Sequence, residues 1–421
     1  MEVLTARARR ARWAVTVVFG INGMLIASLA VRTPSLRLDL GLTAGQLGLG
    51  SAVFGVFAVA AMQAAGGLAA RFGSAPIVRL TVLLGPLGLL GVGIAGDFFQ
   101  LALALLVLGT IHGTLDVAMN AHAVAVERTL RRHVMNGCHG AWSIGAVAGS
   151  LLGSGAAHLD VSRAVHYLLF AALAVPLAAV TGTALLPAET DRATFKQDVR
   201  LGGRLGWRAG WTRRVLLFGA MGATVLTCEA AVANWSGVYL HEHLGASLGL
   251  AGLGYVAFTG CQTLGRLVGD RLQALTSTVR LVRLGTLTAA GGLAVALLSP
   301  APVLGVIGFA VMGLGLATPL PVLFAVVGHL GAGGADGPGS GAALALARFT
   351  TMTYAGILLA PAVIGGVADL VGLTWTLAGL IPLLAAVAGA AGLAIGPVGV
   401  SIARVADRRV QAPDSAPGGT I

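Results

Sequence analysis

Long apolar runs, each ended by a short polar or basic stretch, recur from near residue 13 to near residue 396 of this 421-residue chain. One of them, "FFQLALALLVLGTIHG" (98–113), is typical. Such runs constrain the fold more than any other feature, because a helix needs about 20 apolar residues to cross roughly 30 Å of hydrocarbon. Transmembrane strands would alternate apolar and polar residues over about 10 positions. The pattern predicts an all-α membrane protein of twelve spans, at 13–31, 46–70, 77–95, 98–125, 134–157, 164–186, 214–239, 247–268, 280–298, 301–328, 341–367 and 373–396. Composition agrees. Only 10 % of residues are charged, against about 25 % in soluble domains, and mean hydropathy is +0.88.

The opening "TARARRARWAVTVVFGINGMLIASLA" has the basic start of a signal peptide, but the span count is even only if it is a first span. The net charge of +11 sits in short loops between spans. That distribution follows the positive-inside rule and argues against nucleic acid as a partner. With the N-terminus inside, only Arg32, Arg37 and Arg163 of the 27 Lys and Arg fall on the outer side. Both termini are therefore expected in the cytoplasm. Cys138, Cys228 and Cys261 lack metal-ligand spacing and form no disulfide framework.

The longest polar stretch after the sixth span divides the chain. We expect an N-terminal six-helix bundle over 1–186, a cytoplasmic linker over 187–213, a C-terminal six-helix bundle over 214–402, and a disordered tail over 403–421. The halves echo each other. "LDLGLTAGQLGLGSAVFGVF" after the first span parallels "LHEHLGASLGLAGLGYVAF" after the seventh, and "GGLAARFG" (66–73) parallels "GRLVGDRL" (265–272). Paired repeats of this kind are the logic of secondary transporters.

The segment Gly66-Gly67-Leu68-Ala69-Ala70-Arg71-Phe72-Gly73 resembles the loop motif Gly-x-Leu-Ala-Asp-Arg-x-Gly of the major facilitator superfamily. Ala70 stands where that motif has its acid, which removes the charge-pair latch from the first half. Arg266, Asp270 and Arg271 keep an acid and bases in the second. "LDVAMNAHAVAVER" and "ANWSGVYLHEHLGAS" are similar to a bacterial branch of the superfamily with largely unassigned substrates, distantly similar to fucose permeases. The resemblance implies two rocking six-helix bundles and proton symport of a small polar solute. Gly66, Arg71, Gly73, Arg266, Asp270 and Arg271 would be gating residues. The glycine-proline motif of antiporters is absent from span five, where Gly145, Gly149 and Gly153 instead recur every four residues, a spacing that permits close helix packing.

Polar residues inside apolar runs mark candidate chemistry, since a charge at mid-membrane costs roughly 2.5–3.5 kcal/mol on the insertion scale. At 100° per residue, His112, Asp116, Asn120 and Glu127 share one face of span four within about 80°. Asp116 and Asn120 are read as a cavity wall, and Glu127 as an interfacial anchor. Glu229 in span seven is the second buried acid. Trp235 and Tyr239 share its helix, as an aromatic belt or a cavity wall. Arg348 either pairs with an acid or a substrate anion, or snorkels to the cytoplasm. His139, Trp142, Asn22 and Tyr354 complete the cavity candidates. Pro319 and Pro321 predict a broken span ten.

These residues point to a secondary transporter moving a small-molecule substrate by alternating access, with the proton as coupling ion, acting as a monomer in the lipid bilayer. An exporter of lipophilic or cationic compounds is the alternative, and a non-transporting membrane sensor the alternative of another class. No cofactor, metal or enzymatic motif is read, and there is no P-loop for nucleotide.

Overall fold

The computed structural model describes residues 2–130, 134–188, 211–330 and 340–410. Among the described residues every regular element is a helix. In chain order these are α1 (Glu2–Val31), α2 (Thr33–Leu40), α3 (Ala44–Phe72), α4 (Ser74–Ile94), α5 (Phe98–Leu130), α6 (Met135–His158) and α7 (Arg163–Thr183). After the linker come α8 (Arg213–Glu242), α9 (Leu248–Leu275), α10 (Thr278–Leu298), α11 (Pro302–Leu316), α12 (Pro319–Leu330), α13 (Ser340–Val371), α14 (Leu373–Ala378) and α15 (Leu380–Val410).

Among the described residues, ten segments are long and apolar enough to cross a membrane. The helices at the fifth and eighth expected spans, α6 and α9, are long enough but fall outside that set, because glycines and polar residues dilute their hydropathy. They also pack against each other. The outer surface is apolar: Leu298 and Leu370 are each 84 % exposed and Leu393 is 82 % exposed. An exterior of that kind belongs in lipid, since soluble proteins rarely expose apolar patches beyond a few hundred Å2.

Packing repeats between the first seven helices and the last eight. Helix α1 packs on α6, α3 on α5, α4 on α5 and α4 on α7; correspondingly, α8 packs on α13, α9 on α11, α10 on α11 and α10 on α15. Single residues repeat the pattern. Arg79 Nε donates to the Gly182 carbonyl at 2.7 Å, tying α4 to α7, and Arg283 Nε donates to the Ala388 carbonyl at 3.1 Å, tying α10 to α15. The sequence echo has a backbone counterpart. Gly41 (φ 61°) and Gly245 (φ 68°) take the left-handed conformation, and two residues later Thr43 and Ser247 cap α3 and α9. Glycine adopts that conformation at no steric cost, and hydroxyl caps satisfy otherwise orphaned N–H groups.

The α1–α6 seam explains the glycine spacing of span five. A Cβ on Gly145 would strike the Gly20 carbonyl, one on Gly149 the Met24 carbonyl, and one on Gly153 the Val31 side chain. These glycines are packing residues, and the helices they join touch backbone to backbone. Span ten is broken as the prolines require: α11 ends at Leu316 and α12 begins at Pro319.

Several boundaries shift. Helix α3 runs through Phe72, so Gly66 and Arg71 lie on a helix and only Gly73 (φ 81°) makes the turn. The last helix continues to Val410, past residue 402, where the tail was expected to begin. Residues 189–210 of the linker and 411–421 of the tail lie outside the described residues.

Candidate functional site

The halves meet at the end of the molecule that carries the 32–43 and 243–247 connections, here the elbow end. Arg37 Nε lies 2.8 Å from Glu242 Oε1. Asp369, at the end of α13, accepts from the Thr43 hydroxyl (3.1 Å) and the Gly45 N–H (2.8 Å) at the start of α3. Ser154 donates to the Gly249 carbonyl at 3.0 Å. Deeper in, Ser51 Oγ donates to Asn234 Oδ1 at 2.6 Å.

Below these ties lies a chamber of about 300 Å3, walled chiefly by Ile26, Leu29, Phe54, Met62, Leu105, Ile357 and Leu358. Its few polar groups are Thr33, Ser51, His112, Asn234, Tyr255 and Tyr354. Toward the terminal end a wider cleft of about 1130 Å3 continues past His112, lined by Asp116, His139, Trp142, Ser143, Thr263, Arg266 and Pro321. His112 borders both spaces. Its ring stacks on Phe54, centroids 5.5 Å apart, and its Nδ1 donates to Asn22 Oδ1 at 3.0 Å. Asn22 is 1 % exposed, so it positions His112 from within the bundle.

Asp116 sits in the cleft wall, and its carboxylate makes no hydrogen bond or ion pair among the described residues. From the other half, Glu229 Oε1 accepts from Gln262 Nε2 at 2.8 Å and lies 3.7 Å from Arg266 Nη2. Glu229 itself lines neither space; of this group only Arg266 reaches the cleft wall that Asp116 also lines. His139, edge-on to Phe19 with centroids 5.3 Å apart, and Trp142 also fall in the cleft wall.

Other candidates lie elsewhere. Asn120 donates to the Asp116 backbone carbonyl at 2.8 Å, an intrahelical bond, and lines neither space. Trp235 and Tyr239 are neither belt nor cavity wall. They are 0 % and 2 % exposed within the second half, where Tyr239 donates to the Leu297 carbonyl at 3.0 Å. Helix α8 is surrounded by α9, α11, α12, α13 and α15, so this face of it is core. Arg348 lies outside both linings, its guanidinium 5.3 Å above the Trp211 ring. Arg266 is not in a gating turn, because α9 runs on to Leu275 and leaves it in the cleft. Glu127 caps the next helix, accepting from the Val134 and Met135 N–H groups at 2.7 and 3.2 Å.

In the first-half motif, Arg71 is exposed and lies 5.1 Å from the Phe72 ring. The turn at Gly73 is held without an acid at position 70. His122 Nε2 accepts the Leu186 N–H at 3.2 Å, so its Nδ1 carries the proton and donates to Ser74 Oγ at 2.8 Å. Arg271 is exposed on α9, and the Asp270 side chain lies outside the described residues. Sequence reasoning missed Ser51, Asn234, Gln262 and Tyr255. The signal for Asn234 and Gln262 was present, an amide within an apolar run.

A lipid-facing shell of helices around a polar-floored cleft, closed at one end by contacts between two repeated halves, defines a membrane transporter of the secondary type. The chain belongs to the Major Facilitator Superfamily, whose family description matches residues 13–341. An uncharacterized MFS-type transporter of Yersinia pestis is 31 % identical over 381 residues, covering 89 % of this chain and 93 % of the relative. The nucleoside transporter NupG superposes with a TM-score of 0.70 at 14 % identity, over 91 % of this chain and 99 % of NupG. A bacterial homologue of the human lysosomal transporter Spinster, crystallised inward-facing and occupied, gives 0.69 at 13 % identity, over 91 % and 96 % of the two chains. These structural likenesses concern the fold.

Proposed function

We propose that the protein is a proton-coupled secondary transporter of the bacterial inner membrane, monomeric, with both termini in the cytoplasm and residues 1–186 and 214–402 rocking as two bundles. Asp116 carries the reading. It is an acid without an ion-pair partner among the described residues, in a cleft wall where the alternative to solvent is hydrocarbon. Protonation removes the cost of its charge and so changes which arrangement of the bundles is favoured. Glu229, shared by Gln262 and Arg266, is the second coupling candidate. With the termini inside, the arrangement described here faces the cytoplasm, the state named for the Spinster homologue.

Two readings of the solute stand. The distant similarity to fucose permeases read from the sequence alone supports a small polar, sugar-like compound taken up with protons. The chamber walls of Ile26, Leu29, Phe54, Met62 and Ile357 favour a solute with apolar surface, as an exporter of lipophilic or cationic compounds would carry. Proteoliposomes screened with and without an imposed pH gradient separate the two by direction and by compound. In that assay Asp116→Asn loses gradient-driven accumulation while retaining counterflow exchange. Accumulation unchanged in both Asp116→Asn and Glu229→Gln removes the coupling assignment.

A further inference from the structure

The charge bias of the sequence leaves three arginines, Arg32, Arg37 and Arg163, at the elbow end. All three are anchored. Arg37 reaches Glu242 across the halves. Arg32, between α1 and α2 and 3 % exposed, gives Nη2 to the Val161 carbonyl at 2.8 Å. Arg163, the first residue of α7 and 9 % exposed, gives Nη2 to the Ala95 carbonyl at 2.7 Å and Nε to Asp39 Oδ2 at 3.0 Å. His166, one turn further on, is 7 % exposed, and its ring stands over Gly153 beside Val31.

Arg32 holds the Val161 carbonyl two residues before Arg163, and His166 stands beside Val31, the residue before Arg32, so the three side chains gather at the start of α7. Asp39, half-exposed, pairs with Arg163, and among the described residues no carboxylate forms an ion pair with Arg32. Four nitrogens of the cluster are buried without a hydrogen-bond partner among the described residues: Arg32 Nε and Nη1, Arg163 Nη1 and His166 Nδ1. An unsatisfied buried donor is costly, and a charged one more so. Two guanidiniums in a low-dielectric site also repel each other. A carboxylate that pairs with only one of them leaves a buried excess of positive charge and of N–H donors. A small anion supplies what is missing, both the charge and an acceptor with no directional demand.

We propose that Arg32, Arg163 and His166 bind a small inorganic anion of chloride size at the root of the α1–α2 elbow. None of the three lines the chamber or the cleft, so the site is separate from the solute path. Its position gives it a role. Helix α2 carries Arg37 to Glu242 and seats Pro34 against Gly237 of α8. An anion that fixes the root of α2 favours the arrangement closed at the elbow end.

The test uses the full chain in nanodiscs at constant ionic strength, with chloride or bromide replacing gluconate. The thermal unfolding midpoint rises saturably with either halide, as linkage requires of a ligand that binds the folded state. Arg32→Gln, which keeps a donor toward Val161, flattens that rise; Arg71→Gln, exposed at the other end, does not. Should Arg32→Gln fail to fold, crystals of the unaltered protein soaked in bromide give an anomalous peak between Arg32, Arg163 and His166. A melting midpoint indifferent to halide, an unchanged response in Arg32→Gln, or bromide only elsewhere overturns the proposal. None of these readouts requires transport, so they stand apart from the coupling assignment.

Discussion

The geometry around His112 separates polar residues that the helical wheel treats alike. Asn22 and Asn120 are both amides in apolar runs, but Asn22 accepts from the imidazole of another helix, whereas Asn120 bonds its own helix backbone. Asn22→Leu leaves a buried N–H without an acceptor and is expected to cost about 1–3 kcal/mol. Asn120→Leu leaves that carbonyl in its ordinary helical bond and costs less. Melting temperatures of the two purified variants check the order, and equal losses would remove Asn22 as the residue that positions His112. The same contrast explains what sequence makes legible. Asp116, His139 and Trp142 stood out because a polar or bulky residue in an apolar run needs a reason, and all three line the cleft. Trp235 and Tyr239 were misplaced because a wheel gives the residues that share a face but not the helix that covers it. For α8 the covering helices range from its neighbour α9 to the distant α13 and α15.

At the level of helices, glycine placement decides which elements approach closely. Gly145 rests on the Gly20 carbonyl, while a Cβ on Gly137 would meet nothing within 4 Å. Gly145→Ala is expected to cost about 1–3 kcal/mol through overpacking, and Gly145→Leu to prevent accumulation of folded protein. Gly137→Leu leaves the yield near that of the unaltered chain. Expression in membranes followed by thermal denaturation measures all three, and a tolerated Gly145→Leu would contradict the α1–α6 seam. Span positions were readable because length and hydropathy act through the bilayer, independent of partners. The short helices α2 and α14 were not, because six to eight residues carry too little periodicity to stand out from a loop. Arg266 was assigned to a turn for a related reason: α9 stays helical to Leu275, beyond the apolar run that marks the span.

For the molecule as a whole, the repeated packing and the ties at the elbow end predict how it opens. Removing Arg37 and Asp369 together deletes an ion pair and the carboxylate that accepts from the start of α3. Arg37→Ala with Asp369→Ala is expected to speed labelling of a cysteine at Ser51 by a membrane-impermeant maleimide, several-fold, when the reagent is added from the elbow side. The background must lack Cys138, Cys228 and Cys261. Labelling at an unchanged rate would place the closure elsewhere. The two-half plan was visible in the sequence because the echo of Gly41-Leu42-Thr43 in Gly245-Ala246-Ser247 is local. The ties between halves were not, since Asp369 and Gly45 are joined only by folding.

The seam those ties protect is smooth. Gly48 lies against the Pro361 carbonyl and Gly365 against the Ala44 carbonyl, so α3 and α13 touch across the halves as bare backbones. Side chains that interdigitate must leave their rotamer wells before two helices separate; bare backbones have no such step. Where α3 meets α13, the barrier to parting is therefore expected to lie chiefly in the polar contacts at its end. A single charge-altering substitution at Arg37, Glu242 or Asp369 changes the rate of opening more than enlarging or trimming the apolar residues around them.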